Sequence, residues 1–229
     1  METLKYVIED STIAELLGVQ NFSTDESAVL ELIKNSYDAN AMNVMLHFFE
    51  DTLEITDDGD GMNSNDIKNH WMHIGKSSKG YSVVDSQDNL RIQAGSKGVG
   101  RFALSRLGRK VKLISKKDKE VGVIWETDWN FSTLDEFTEV KEKGTFIRII
   151  NLREKWTLKK IKRLTRYLGR TYKDQLMKIR IKANGYDELV KYIFPEPKPG
   201  TNCRSNIILE YFDTKLSVKV ISDEFSNEA

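Results

Sequence analysis

The stretch Glu31-Leu32-Ile33-Lys34-Asn35-Ser36-Tyr37-Asp38-Ala39 decides how this chain is read, together with Asp57-Asp58-Gly59-Asp60-Gly61-Met62 and Gly95-Ser96-Lys97-Gly98-Val99-Gly100-Arg101-Phe102. Residues four and seven apart share a helix face, so Glu31, Asn35 and Asp38 fall within an arc of about 60°. Val29, Leu32, Ile33, Ser36 and Tyr37 fall mostly on the opposite side, which would bury against a sheet. Ser23 with Glu26 three residues later reads as a capping box that opens the helix. A solvated helix face usually mixes Lys with Glu. One that carries Glu, Asn and Asp suits a hard cation and a water instead.

The second piece ends a predicted strand, Leu53-Glu54-Ile55-Thr56. Gly59 and Gly61 allow a tight turn and close backbone approach to a ligand, and an Asp at a strand end accepts a hydrogen bond from a donor such as an exocyclic amine. A calcium loop fails here, because it needs a Glu at its twelfth position and the twelfth residue from Asp57 is Lys68. The third piece leads into Phe102-Ala103-Leu104-Ser105-Arg106-Leu107. Glycine-rich approaches to helix N-termini bind phosphate through free N–H groups and the helix dipole. No G-x-x-x-x-G-K-[ST] loop occurs in the chain. The match of residues 98–103 to G-x-G-x-x-A lacks the preceding buried strand of a dinucleotide-binding unit.

In this order and spacing the three pieces resemble the GHKL-type ATPases. That superfamily includes type II topoisomerase ATPase subunits, ninety-kilodalton heat-shock chaperones, sensor histidine kinases and MutL-type mismatch-repair proteins. The resemblance covers roughly residues 20–150. It implies ATP and Mg2+ as cofactors, with Glu31 as general base for the attacking water and Asn35 as the metal ligand. Asp38 joins the ATP-binding face, Asp57 accepts from the adenine amino group, and Gly61 and Met62 line the adenine pocket. Gly95, Ser96, Lys97, Gly98, Val99, Gly100, Arg101 and Phe102 would wrap the triphosphate. Thr145, in Lys143-Gly144-Thr145-Phe146-Ile147, resembles the late threonine that supports the adenine-binding Asp. Residues 75–93 would form an ATP lid, with Ser77, Ser78 and Lys79 reaching the phosphates on closure. A mobile solvent loop is the other reading of that stretch.

Composition sets the class. At 229 residues with 39% hydrophobic content, the chain can bury one substantial core and part of a second. The single Cys203 excludes a disulfide framework and fits a reducing cytosol. No apolar run of 18 residues occurs, and three acids fall within the first ten residues. Neither a membrane helix nor a secretion signal is expected, and a cytoplasmic location is. Net charge is zero, yet residues 1–66 hold fifteen acids against two Lys or Arg. Residues 155–182 carry eleven Lys and Arg against Asp174 alone. In that segment Ile161, Leu164, Leu168 and Tyr172 keep helical spacing, while Lys159, Lys160, Lys162, Arg163, Arg166 and Arg170 face mostly elsewhere. Such a face attracts nucleic-acid phosphates, or it is a solvated or partner surface.

Strands are expected over residues 43–50, 53–56, 110–115, 121–125 and 145–150, with the basic helix following the last. An arm around Ile13, Leu16, Leu17 and Val19 would dock on the domain. These elements make an α+β two-layer sandwich, a mainly antiparallel mixed sheet with helices on one face. All three prolines lie between residues 194 and 200, which places an ATP-binding domain over 1–194 and a linker with a hairpin over 195–229. The hairpin strands would be residues 206–211 and 216–221, either packing on the first domain or opening a second domain of a larger protein. Three functions are open to such a chain. It is an ATP hydrolase whose nucleotide state drives lid closure and homodimerisation, a non-catalytic ATP-dependent switch or nucleic-acid-binding module, or a histidine-kinase-type phosphotransferase. The last needs a phosphoacceptor His on a dimerisation helix, and the histidines are His47, His70 and His73.

Overall fold

The computed structural model describes residues 9–73, 100–140, 142–172 and 176–193, and the backbone of four further strands. Helix α1 (Asp10–Ala14) runs into a π-turn at Glu15–Val19, and α2 (Asp25–Asp38) follows. The hairpin β1 (Asn43–Phe49) and β2 (Thr52–Asp57) leads to a single turn, α3 (Ser64–Asp66), and a second π-turn at Ile67–Trp71. Two short strands, β3 (Ser82–Val84) and β4 (Leu90–Ile92), pair with each other in a separate sheet. A 3-10 turn, Gly100–Phe102, opens α4 (Ala103–Leu107), and β5 (Gly108–Lys116) starts at the next residue. Then come β6 (Gly122–Thr127), β7 (Ser132–Phe137), β8 (Gly144–Leu152), α5 (Leu158–Thr171), β9 (Lys178–Ala183) and β10 (Tyr186–Leu189).

Eight of these strands form one sheet in the order β10-β9-β1-β2-β8-β5-β6-β7. Every neighbouring pair is antiparallel except β1 with β9, where Val44 and Leu46 stand beside Ile179 and Ile181. The fold is therefore α+β with a mixed, mainly antiparallel sheet, as the sequence pattern implies. Alternation explains the layering. Val44, Leu46, Phe48, Leu113, Ile147 and Ile149 point into a core shared with Val29, Leu32, Ile33, Leu104, Leu164 and Leu168 of the helices. The other sheet face presents Met45, Thr56, Phe146, Ile114 and Ile124 in one row across five strands.

Several details depart from the sequence expectations. The helix cap is Thr24, not Ser23: its side chain accepts from the Ser27 amide at 3.1 Å and Ser27 returns the bond. Glu26 is thereby released from capping and turns inward to pair with Arg163 at 2.8 Å. Strands β7, β9 and β10 lie where no strand is expected. The expected polar stretch over residues 75–93 contains the β3–β4 pair. The chain divides into two compact units, Met1–Tyr192 and Ile193–Ala229. The second holds an antiparallel hairpin, β11 (Asn202–Tyr211) and β12 (Thr214–Asp223), ten residues a strand and longer than the alternation suggests.

Candidate nucleotide site

The site begins where α2 ends beside the end of β2. Asp57 is the last residue of β2, and its carboxylate is met from three sides. Ser36 Oγ donates to Oδ2 at 2.8 Å, the Gly59 amide donates to Oδ1 at 3.0 Å, and the Thr145 amide on the neighbouring strand donates as well. Burial nevertheless dominates, and it raises the Asp57 carboxyl above the ordinary carboxylate range despite these three donors. A carboxylate held this way is costly to ionise and fixed in direction.

The turn after β2 is anchored at each residue. Asp58 is pulled the other way from Asp57. Burial alone would raise it, but the Asn43 side chain and the amides of Asn43 and Met42 donate to it and hold it below the usual range. Asp60 receives the Asn40 side-chain amide at 2.7 Å. Gly61 has φ of +70°, and a Cβ there would lie 2.0 Å from the Lys116 carbonyl oxygen, so only glycine lets the turn pack on β5. The Met62 amide donates to Ser115 Oγ at 2.8 Å, and Ser115 lies 2.9 Å from Thr145 Oγ1 and 3.1 Å from the Gly144 carbonyl. Gly144, at φ of +129°, brings β8 so close that a Cβ would sit 2.2 Å from the Asp57 carbonyl oxygen.

Glu31, Asn35 and Asp38 stand along α2 as its spacing requires. Asp38 is buried, while Glu31 and Asn35 are partly open. Gly100 lies against Asn35: a Cβ there would be 3.4 Å from its Nδ2. The end of the glycine-rich loop and the polar face of α2 are thus brought together. Arg101 and Phe102 turn away into packing. Arg101 donates to the His73 carbonyl at 3.0 Å and lies over the Phe102 ring, and burial pushes its guanidinium down to about 10. Phe102 is buried beside Ile13, Met72, Trp125 and Trp129 around a small pocket. Ser77, Ser78, Lys79, Gly95, Ser96, Lys97, Gly98 and Val99 lie outside the described residues.

Three participants escape the motif reading. Ser36 reads as a buried packing residue and is one, yet its hydroxyl orients Asp57. Ser115 is wholly buried and bonds Met62, 53 positions before it, and Thr145, 30 positions after it, with no local signal. Lys34 donates to Glu31 Oε1 at 2.7 Å. The basic helix has specific intramolecular work too. Lys160 and Arg106 both bind the buried Asp25, and Lys160 also caps the Trp156 ring.

Residues 22–155 match the family described as "Histidine kinase-, DNA gyrase B-, and HSP90-like ATPase". The chain belongs to that family of ATPases. Among curated relatives it is similar to the "DNA mismatch repair protein MutL" of Clostridium beijerinckii, 29% identical over 151 residues, which is 64% of this chain and 22% of that protein. It is also similar to "DNA mismatch repair protein pms1" of Schizosaccharomyces pombe, 26% identical over 157 residues, 66% of this chain and 19% of the relative. The matched stretch therefore spans about a fifth of either relative's length. Among the described residues no helix is long and apolar enough to cross a membrane.

Proposed function

We propose that this chain binds ATP with Mg2+ and hydrolyses it, as the nucleotide-driven part of a larger assembly. The observation that carries the reading is Asp57, a carboxylate raised by burial and aimed by Ser36, Gly59 and Thr145. In this reading it accepts a hydrogen bond from the adenine amino group, with Gly61 and Met62 as the pocket wall and Asp38 on the neighbouring face. Among the described residues, no three His, Cys, Asp or Glu side chains cluster as a self-sufficient cation cage. Asn35 offers one amide oxygen. That donor set suits a magnesium ion carried on phosphates, because Mg2+ keeps several waters and takes few protein ligands. When bound, the ion neutralises charge on the transferring phosphoryl group.

Hydrolysis then needs a base within reach of the attacking water, and Glu31 lies one helical turn before Asn35 on the same face. The water oxygen bonds to the γ-phosphorus, the bond to the β-phosphate oxygen breaks, and the water proton passes to the Glu31 carboxylate. ADP and inorganic phosphate leave. The same reading has residues 75–93 closing over the phosphates and two copies joining on ATP. Both relatives are DNA mismatch repair proteins, which favours mismatch repair as the setting, and a cytoplasmic location belongs to the same proposal. Nucleic-acid contact through the basic segment 155–182 is the second reading. Its observation is the exposed charge that remains on α5 after Lys160 and Arg163 are paired.

Calorimetry with Mg-ATP tests the central claim. Asp57→Asn is expected to reduce affinity at least about 100-fold, because an amide places an unwanted donor against the adenine amine. Unchanged affinity would remove the adenine assignment.

A further inference from the structure

We infer that Lys34 is a positioning residue for the base: its ammonium group fixes the Glu31 carboxylate so that one oxygen stays aimed at the attacking water. This rests on the reading of Glu31 as that base. The carboxylate sits at the end of a flexible side chain, whereas a base must be held within hydrogen-bond reach of its proton to be effective. Helix α2 supplies a rigid backbone, with ten of its 14 residues buried. It does not fix the Glu31 side chain, which is 33% exposed.

What fixes it is Lys34. The Nζ donates to Oε1 at 2.7 Å, and neither side chain has another polar partner among the described residues. The geometry follows from the helix. Side chains lean toward the helix N-terminus, so the Lys34 stem is directed back over the turn that carries Glu31. Oε1 is occupied by the ammonium group, and Oε2 is left to take a proton. Because Lys34 immediately precedes Asn35, the pair and the metal ligand ride on one helical turn and keep their spacing. An ion pair this exposed contributes little to folding. Its removal should therefore be read in turnover rather than in stability.

The test uses the full chain. Lys34→Met is expected to lower kcat about 10-fold, well short of the roughly 10²–10⁴-fold expected for losing a general base. KM for ATP should change less than about twofold, since uniform binding is not what is lost. Lys34→Arg should restore most of the rate, because a guanidinium can bridge to the same carboxylate. In Glu31→Gln, adding Lys34→Met should cost nothing further, as groups acting through one another are non-additive. The Lys34 15Nζ resonance should also move on Glu31→Gln. Wild-type kcat in Lys34→Met, a rise in KM at constant kcat, or an unmoved 15Nζ resonance would each overturn the inference. Failure of the underlying reading looks different: Glu31→Gln would then turn over at the wild-type rate.

Discussion

Helices α2 and α5 are each 14 residues long and each opens on a threonine cap, Thr24 and Thr157, yet the fold uses them differently. Four residues of α5 are buried, Ile161, Leu164, Leu168 and Gly169, and none of them is polar. Ten residues of α2 are buried, and four of these are Asp25, Glu26, Ser36 and Asp38. Burying polar groups is unfavourable unless partners meet them. The molecule supplies such partners: Arg106 and Lys160 for Asp25, Arg163 for Glu26, and Asp57 for Ser36. A helix with its polar residues all outside is a packing element. Under the proposed function, a helix that carries polar residues inward, against a strand end, is where chemistry is arranged. The basic character of α5 is partly explained by the acids of α2, so counting its charges overstates the surface left for phosphates.

If that division holds, damage to the two helices should separate into rate and stability. The largest effect expected is on turnover. Glu31→Ala should retain ATP binding and lower the hydrolytic rate by roughly 10²–10⁴-fold, the range for a general base. Hydrolysis at the wild-type rate would take the chemistry away from α2. Next in size is Leu164→Ala on α5, a wholly buried leucine whose truncation should cost about 2–5 kcal/mol of folding stability. Nucleotide affinity of the folded fraction should be preserved. Chemical denaturation beside calorimetry reads both, and a stable variant with lost affinity would break the comparison.

The smallest effect is also the sharpest in sign. Asp57 is raised by burial, so the stability linked to it is present at low pH and is lost as pH rises through its folded-state value. At neutral pH Asp57→Asn should therefore unfold at the same temperature as the parent or slightly higher, although it fails to hold ATP. A clear drop in melting temperature at neutral pH would make Asp57 a structural carboxylate. In the parent, ATP affinity carried by ionised Asp57 should fall off on acidification at a higher pH than an ordinary carboxylate would give.

Much of the fold is legible because it is written in short-range periods. Residues 43–49 alternate, and β1 buries Val44, Leu46 and Phe48 in step. The capping residue is not legible to one position, since Ser23 and Thr24 are both capping types. Only the extended backbone at Thr24, φ −139° and ψ 155°, decides. Strand β9 has a signal in Lys178-Ile179-Arg180-Ile181-Lys182, a strict alternation that a tally of basic charge conceals. Strand β7 has almost none. It is the sheet's last strand and is largely exposed, so no buried face imposes a pattern.

The same limit applies to the site. The sequence by itself determined the set of chemical groups and their order: a Glu, Asn and Asp face on one helix, an acidic glycine turn, and a glycine-rich loop before a second helix. These are readable because helix periodicity and turn chemistry act over fewer than eight residues. Only the tertiary structure decided which groups meet. The bond from Ser36 to Asp57 spans 21 positions, that from Met62 to Ser115 spans 53, and Asp57 finds Thr145 only because β2 and β8 pair in that register. Strand register is fixed by burial of a whole sheet face, a property of the assembled core that no single segment carries.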